Sequence, residues 1–238
     1  MKADRFLSLL LLCAMGQGTA ALAQDQAGSS SNCGALYSQG QYGPFDFRTD
    51  KDKLQIVLGA HFPPYVESLI RGNTASRPGG DIDYTLRAIP NHPNALLSMI
   101  RLGDKEKTQQ PSGSRYTVEC WLDRAMRFRP DDQVVRMIFV TFLTQNNRKA
   151  DAMQQLEIVL RNAKDNAFTH NNIGLLYFDL GEYPKALAQA QKSIELGLNW
   201  PALSDKLKAV GKWQEPSAGN SPAEPPEPSA AASAPLKP

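Results

Sequence analysis

Apolar residues recur at helical spacing through much of the chain, and segment 171–199 is the clearest example. Its sequence, NNIGLLYFDLGEYPKALAQAQKSIELGLN, predicts two amphipathic helices joined by a turn at Gly181. A less regular version of the same pattern occupies 133–166. Pro201 then opens a further helix, because proline is favoured in the first turn of a helix. The pattern therefore predicts an all-α chain that contains helical hairpins.

When the sequence is aligned with itself at a constant shift, successive hairpins fall into register. Small residues early in each second helix then coincide, at Val118, Ala152 and Ala186. Asn147 coincides with Gly181 between the paired helices, and both residue types tolerate the left-handed backbone that helix ends often need. Since one hairpin cannot bury its apolar face alone, we expect the hairpins to stack on one another.

A period of about 34 residues with helix–turn–helix content resembles the tetratricopeptide repeat (TPR) family. In the last unit the resemblance is carried by Ile173, Gly174, Tyr177, Gly181, Tyr183 and Ala186. In the first unit it is carried by Trp121, Leu122, Ala125, Phe128 and Pro130. Segments 43–48, 83–88 and 118–132 are also similar to a group of exported bacterial TPR-like proteins of unassigned activity. The resemblance implies a right-handed helical-hairpin solenoid of about three TPR-like units.

The predicted organisation has seven parts. They are a signal peptide (1–23), an N-terminal extension (24–80), an irregular TPR-like unit with an enlarged loop (81–132), TPR units at 133–166 and 167–200, a capping helix (201–213) and a disordered Pro/Ala-rich tail (214–238). Asp81–Ile89 is interpreted as the remnant of a preceding half-unit. The irregular unit has 33 residues from Pro93 to Ala125, where a regular unit would use about 27. Its connecting loop is therefore enlarged.

The first 23 residues have the three parts of a secretory signal. Lys2 and Arg5 supply positive charge, Phe6–Met15 is apolar, and Ala21–Ala23 offers small residues for cleavage after Ala23. The apolar run is short for a membrane span, so a retained anchor is the weaker alternative. We therefore expect a periplasmic or secreted protein with no membrane span after cleavage. The tail is interpreted as passive, with a linker or docking peptide as the alternative.

Cys33 and Cys120 remain after the predicted cleavage, and an even pair in an exported protein predicts a disulfide. Two buried free thiols are the alternative. Helix 118–128 also has a second apolar stripe, Trp121 and Phe128, which needs a cover. We expect the cover to come from segment 33–47, whose aromatic residues are Tyr37, Tyr42, Phe45 and Phe47.

Candidate chemistry is sparse. The net charge of +2 does not indicate a basic surface that would bind nucleic acid. The three histidines, His61, His92 and His170, are too scattered for a metal set, and no cofactor, metal or catalytic motif is predicted. His61 precedes two prolines and Glu67, a pattern that indicates a helix start better than a catalytic pair. Acidic neighbours predict solvated ion pairs for Arg124, Arg127 and Arg129.

These features favour a non-catalytic, exported scaffold that binds a protein or peptide partner. A periplasmic chaperone or assembly factor for envelope machinery is an alternative, and an enzyme that uses the N-terminal extension is a weaker one. In the implied solenoid, the first helix of each hairpin lines a concave groove. The candidate partner-binding residues on these first helices are Arg101, Met137, Thr141, Asn171, Asn172, Leu175 and Phe178. Thr144 and Phe168 adjoin them. Alternatively, the two asparagines cap the helix or face water, and Phe178 packs under the C-terminal helix.

Overall fold

The computed structural model describes residues 33–215, so the predicted signal peptide and residues 216–238 of the predicted tail lie outside the described part. The all-α prediction is confirmed for 33–215, where the regular secondary structure is helical without a strand. The helices are α1 (Lys51–His61), α2 (Pro64–Glu67), α3 (Pro78–Ala88), α4 (Pro93–Glu106), α5 (Val118–Phe128), α6 (Gln133–Gln145), α7 (Lys149–Asn162), α8 (Ala167–Asp179), α9 (Tyr183–Glu195) and α10 (Pro201–Ala209). Across 33–215, no helix combines the length and the apolar character that a membrane crossing requires.

The ends of the helices follow from local sequence. Helices α6, α8 and α10 begin at positions 133, 167 and 201, so their starts are evenly spaced along the chain. The side chain of Asp132 caps α6 by accepting from two backbone N–H groups, and Asn166 caps α8 in the same way with one. Asn147 and Gly181 have φ of 59° and 75°, so the predicted left-handed positions are confirmed.

Two hairpins, α6–α7 and α8–α9, pack their paired helices most extensively. Helix α4 contacts α6, α6 contacts α8, and α8 contacts α10. In addition, α5 contacts α6, α7 contacts α8, and α9 contacts α10. Each hairpin therefore packs on the next, and one core of buried residues runs from Phe62 to Leu207.

Helices α8, α9 and α10 meet at Gly174. A Cβ atom added there would overlap the side chain of Leu203 and would lie 3.2 Å from Cβ of Gln189 and 3.4 Å from the carbonyl oxygen of Ala186. Ala186 itself is fully buried. Gly174 and Ala186 therefore lie at the contact between these helices, where a larger side chain has no room.

The N-terminal extension is more regular than its sequence indicates. Helix α1 packs on α3, and α3 packs on α4. Leu54 and Val57 of α1 form a second small core with Ala88 and Ile89, and Phe45 and Phe47 pack against it. The predicted cover of α5 by segment 33–47 is therefore confirmed only at its start, where the carbonyl oxygens of 33–35 contact arginines of α5. The aromatic residues of the segment do not contribute, because Phe45 and Phe47 pack near α1 and α3 while Tyr37 and Tyr42 are exposed.

The enlarged loop between α4 and α5 supplies much of the cover for α5. Trp121 is fully buried and its indole N–H donates to Ser114 Oγ at 2.8 Å. The Tyr116 ring meets the Trp121 ring edge-on at 5.1 Å. Asp83 of α3 accepts from the backbone N–H of Arg115 at 2.7 Å, which ties the loop to α3. The loop therefore packs on α5 and is held at the same time by α3.

The predicted pairing of Cys33 with Cys120 is confirmed, with an S–S distance of 2.08 Å. The bond joins the first described residue to α5 across 87 positions of sequence. It fixes the start of segment 33–47 on the outside of α5.

Candidate functional site

The candidate groove residues lie on three helices that contact one another in turn, α4, α6 and α8. Their exposure differs. Arg101 and Asn172 are exposed, Asn171 is buried, and the rest are half-buried: Met137, Thr141, Leu175 and Phe178. The set is therefore spread over neighbouring helices, but only part of it faces solvent.

At α4, the cationic side chains already have partners within the chain. Arg101 Nη2 donates to the carbonyl oxygen of Glu67 at 3.2 Å and to Ser98 Oγ at 2.9 Å. Lys105 Nζ donates to the carbonyl oxygen of Leu69 at 3.2 Å. The end of α2 and the residues just after it therefore already bind the cationic side chains of α4.

The polar groups on α6 and α8 divide between internal and outward roles. Thr141 and Thr144 donate their hydroxyls to carbonyl oxygens one turn earlier in α6. Asn171 is only 3 % exposed, so its amide does not face a partner in solvent. Asn172 is exposed and is the amide that α8 presents outward.

Phe178 lies against the C-terminal helices. Its ring centroid is 5.3 Å from that of Tyr183 in α9, and Lys206 Nζ of α10 lies 5.1 Å from it. The side chain is half-buried by these contacts. Phe178 is therefore only partly available to a partner, and its packing against α10 agrees with the alternative that it lies under the C-terminal helix.

Exposed apolar side chains near the starts of the first helices form a feature that the candidate set largely omits. Val134 is 47 % exposed and Phe168 is 57 % exposed, each at the second position of its helix. The Phe168 ring meets the exposed Trp200 ring edge-on at 5.8 Å. Leu97 on α4 is also exposed, although it lies at a different position of its helix. Phe168 was named from the sequence beside the candidate set, and the equivalent place of Val134 in the repeat was the signal that could have found Val134 as well.

We call this surface the first-helix face. Its residues are Leu97, Val134, Met137, Phe168, Asn172 and Leu175. It combines exposed apolar side chains with an outward amide, a mixture that suits contact with a polypeptide.

A cleft of about 620 Å³ opens between α4, α5 and the end of α6. Its apolar side is formed by Ile100, Val118 and Phe142. At its rim, Arg148 Nη1 pairs with Glu119 Oε1 at 2.5 Å, and Arg148 Nε pairs with Asp151 at 2.8 Å. Residues of the enlarged loop line one wall. The length of the loop indicated an irregular connection here but did not indicate a cleft.

His61 and Asp81 form a polar cluster that sequence reasoning missed. His61 Nδ1 lies 2.9 Å from Asp81 Oδ1 and 2.7 Å from Thr74 Oγ1. Burial acts to raise the pKa of Asp81, but hydrogen bonds from Thr74, Asn73 and His61 outweigh it, so the pKa lies below its ordinary value. A nucleophile–histidine–carboxylate relay uses both ring nitrogens, whereas these two partners share one. The cluster therefore joins the end of α1 and the loop before α3 to Asp81. Helix α2 begins at Pro64, which confirms the predicted helix start.

The expected solvated ion pairs are present at only part of the arginine series. Arg127 pairs with Asp123 at 2.7 Å. Arg129 instead pairs with the buried Asp46 of the N-terminal extension, and Arg124 is only 1 % exposed. The expectation is therefore wrong for Arg124. Within 33–215, no group of three or more His, Cys, Asp or Glu side chains could hold a metal ion.

Comparisons of the chain with protein-family models, with curated proteins and with solved structures each found no significant match.

Proposed function

We propose that this chain is a TPR-like solenoid that acts as an exported, non-catalytic scaffold and binds a protein or peptide partner on its first-helix face. Support for the architecture comes from the even spacing of the starts of α6, α8 and α10 and from the packing of each hairpin on the next. The α1–α3 segment closes one end of the stack, and α10 covers the other.

The observation that carries the binding proposal is the exposure of Val134 and Phe168 at equivalent positions of successive first helices. Exposed apolar side chains mark interaction sites when they adjoin one another, as Phe168 adjoins the exposed ring of Trp200. Large apolar and aromatic side chains also dominate the energetics of protein interfaces. Asn172 adds an amide that both donates to and accepts from peptide backbone.

Export is supported by the signal-like first 23 residues and by the Cys33–Cys120 disulfide, since stable disulfides form in oxidising compartments. The partner therefore belongs to the same compartment. A periplasmic assembly factor would use the same surface.

Site-specific photo-crosslinking tests the proposal. A photoreactive residue is placed at Val134 or Phe168 on the first helices, and at Gln154 or Ala188, which are exposed at equivalent positions of the second helices. After irradiation of intact cells, we expect a discrete adduct from the first-helix positions and none from the second-helix positions. Adducts of equal yield from all four positions would contradict a first-helix binding face.

The adduct identifies the partner, and affinity then provides the decisive measurement. Phe168→Ala and Asn172→Ala should each weaken binding by at least about fivefold, or about 1 kcal/mol. Gln154→Ala should leave affinity unchanged. All three melting temperatures should stay close to that of the parent protein, because these side chains are not in the core.

A further inference from the structure

Arg124 is a buried cation held by main-chain oxygens. Its side chain lies on α5 and is only 1 % exposed. Nη1 donates to the carbonyl oxygens of Cys33 and Ala35, at 2.8 Å each. The guanidinium also lies over the rings of Tyr116 and Trp121, at 4.7 and 5.4 Å. Its environment is therefore made of carbonyl dipoles and aromatic faces.

Such an environment only partly compensates a buried charge. Burying an isolated charge costs several kcal/mol or more unless hydrogen bonds and opposite charges offset it. Arg124 Nε finds no hydrogen-bond partner in the described part of the chain. Burial is the largest influence on the pKa of Arg124 and lowers it, and the nearby charge of Arg127 acts in the same direction. Electrostatic attraction to Tyr116, Asp83 and Asp123 opposes this effect without reversing it. The two carbonyl oxygens are therefore the principal direct partners of this cation.

The disulfide positions these oxygens. One oxygen belongs to the disulfide-bonded Cys33 itself, and the other belongs to Ala35, on the other side of Gly34. Arg127 Nη2 donates to the carbonyl oxygen of Gly34 at 3.2 Å. Gly34 has φ of 68°, and a Cβ there would overlap the hydroxyl of Tyr116, so only glycine allows this close approach. Segment 33–35 is thus fitted over Arg124 and pinned at one end by Cys33.

We propose that the Cys33–Cys120 disulfide and Arg124 form one redox-dependent latch. In this latch the disulfide holds in place the carbonyl oxygens that compensate the buried charge of Arg124. When the bond opens, segment 33–35 loses its covalent link to α5 and Arg124 loses carbonyl partners. The charge then draws water into this side of α5, beside Tyr116 and Trp121. Packing of the outer α5 face therefore depends on oxidation, and the chain reaches its full stability only after the disulfide forms.

A double-mutant cycle tests this coupling. Arg124→Met is introduced into the parent protein and into the Cys33→Ser/Cys120→Ser protein, and urea unfolding gives the equilibrium constant for all four. In the parent protein the substitution removes two hydrogen bonds, whereas without the disulfide it removes a poorly compensated charge. We expect its effect on the unfolding constant to differ between the two backgrounds by roughly tenfold. A difference below about threefold would overturn the latch.

Arg136→Met is the matched control. Arg136 is also an arginine with a buried, unpartnered Nε, and its hydrogen bonds go to Gln155 and to the carbonyl oxygen of Pro130. It lies on α6, away from Cys33. Its effect on the unfolding constant should be the same in both backgrounds, and dependence on the disulfide equal to that of Arg124 would also overturn the proposal.

A second measurement starts from the folded, oxidised protein and covers the case in which the serine variants do not fold. Dithiothreitol transfers two electrons and two protons to the disulfide, giving two thiols, and itself closes to a cyclic disulfide. Because coupling is reciprocal, Arg124 should stabilise the bond. We expect the Arg124→Met protein to be half-reduced at a ratio of reduced to oxidised dithiothreitol roughly tenfold lower than the parent requires. A shift below about threefold would count against the latch.

Discussion

His92 begins α4 with its imidazole between two phenylalanine rings. The ring centroids of Phe47 and Phe62 lie 4.5 and 5.0 Å from it. Its Nδ1 accepts a hydrogen bond from the backbone N–H of Ala95, so the neutral imidazole caps the helix. Burial is the largest influence and lowers the pKa of His92 from 6.5 to about 4. The folded protein therefore resists protonation at this position.

This shift predicts a loss of stability in mild acid. Between pH 6.5 and about 4 the unfolded chain binds a proton at His92 and the folded chain does not, so stability falls as the pH falls through this window. The shift corresponds to roughly 3 kcal/mol. His92→Asn keeps a capping acceptor and removes the titration, so its free energy of unfolding should vary less with pH in urea titrations from pH 7 to 4. Parallel pH profiles for the two proteins would show that His92 is not responsible.

At the scale of residues, the sequence is informative where chemistry leaves few choices. Two cysteines that remain after the predicted signal cleavage have one possible intramolecular pairing, so Cys33 and Cys120 could be paired in advance. Arg124 could not be assigned, because its burial depends on a backbone segment far away in sequence that carries no charge. The same limit applies to Arg129, whose partner Asp46 is similarly distant in sequence.

At the scale of helices, close approach of α8, α9 and α10 depends on residues without bulk. Ala186 is fully buried at the start of α9, whereas Ala188 on the same helix is exposed. Ala186→Leu should overpack this contact and lower the free energy of unfolding by about 1–3 kcal/mol. Ala188→Leu adds the same side chain at an exposed position and should change it by no more than about 0.5 kcal/mol. Equal urea midpoints for the two variants would contradict the proposed packing of α9.

The hairpins α6–α7 and α8–α9 could be predicted because the sequence repeats its small and apolar positions at a constant interval. Helix α10 followed from Pro201 with Leu203 and Leu207 at helical spacing. Helix α1 was not predicted. It buries only Leu54 and Val57, and a pair of buried residues gives little periodic signal in one sequence. The cleft beside the enlarged loop likewise depends on how the loop folds back, which its length does not specify.

At the scale of the whole molecule, a buried polar network joins the N-terminal extension to the hairpins. Asp46 is only 2 % exposed and accepts from Arg48, from Asn91 at 2.7 Å and from Arg129 Nε at 2.5 Å. Asn91 also donates to Asp132, the residue that caps α6. Burial acts to raise the pKa of Asp46, but hydrogen bonds from Arg48, Asn91 and Arg129 outweigh it and hold the pKa well below its ordinary range. One carboxylate thus contacts the extension, the α3–α4 turn and the end of α5.

The network predicts that the extension and the hairpins unfold together. Asp46→Asn weakens the charge-assisted hydrogen bonds that this buried carboxylate accepts from the half-exposed Arg48 and Arg129, and it should lower the free energy of unfolding by about 2 kcal/mol. Asp131→Asn is the control, because Asp131 pairs with the same Arg48 at 2.8 Å but lies exposed, so its removal should cost no more than about 1 kcal/mol. In the Asp46→Asn protein, the backbone amides of α1 should also exchange hydrogen faster than those of α8, because α1 loses its link to α5. Equal losses of stability in the two variants, with unchanged exchange in α1, would show that the extension is held by its apolar contacts and the disulfide alone.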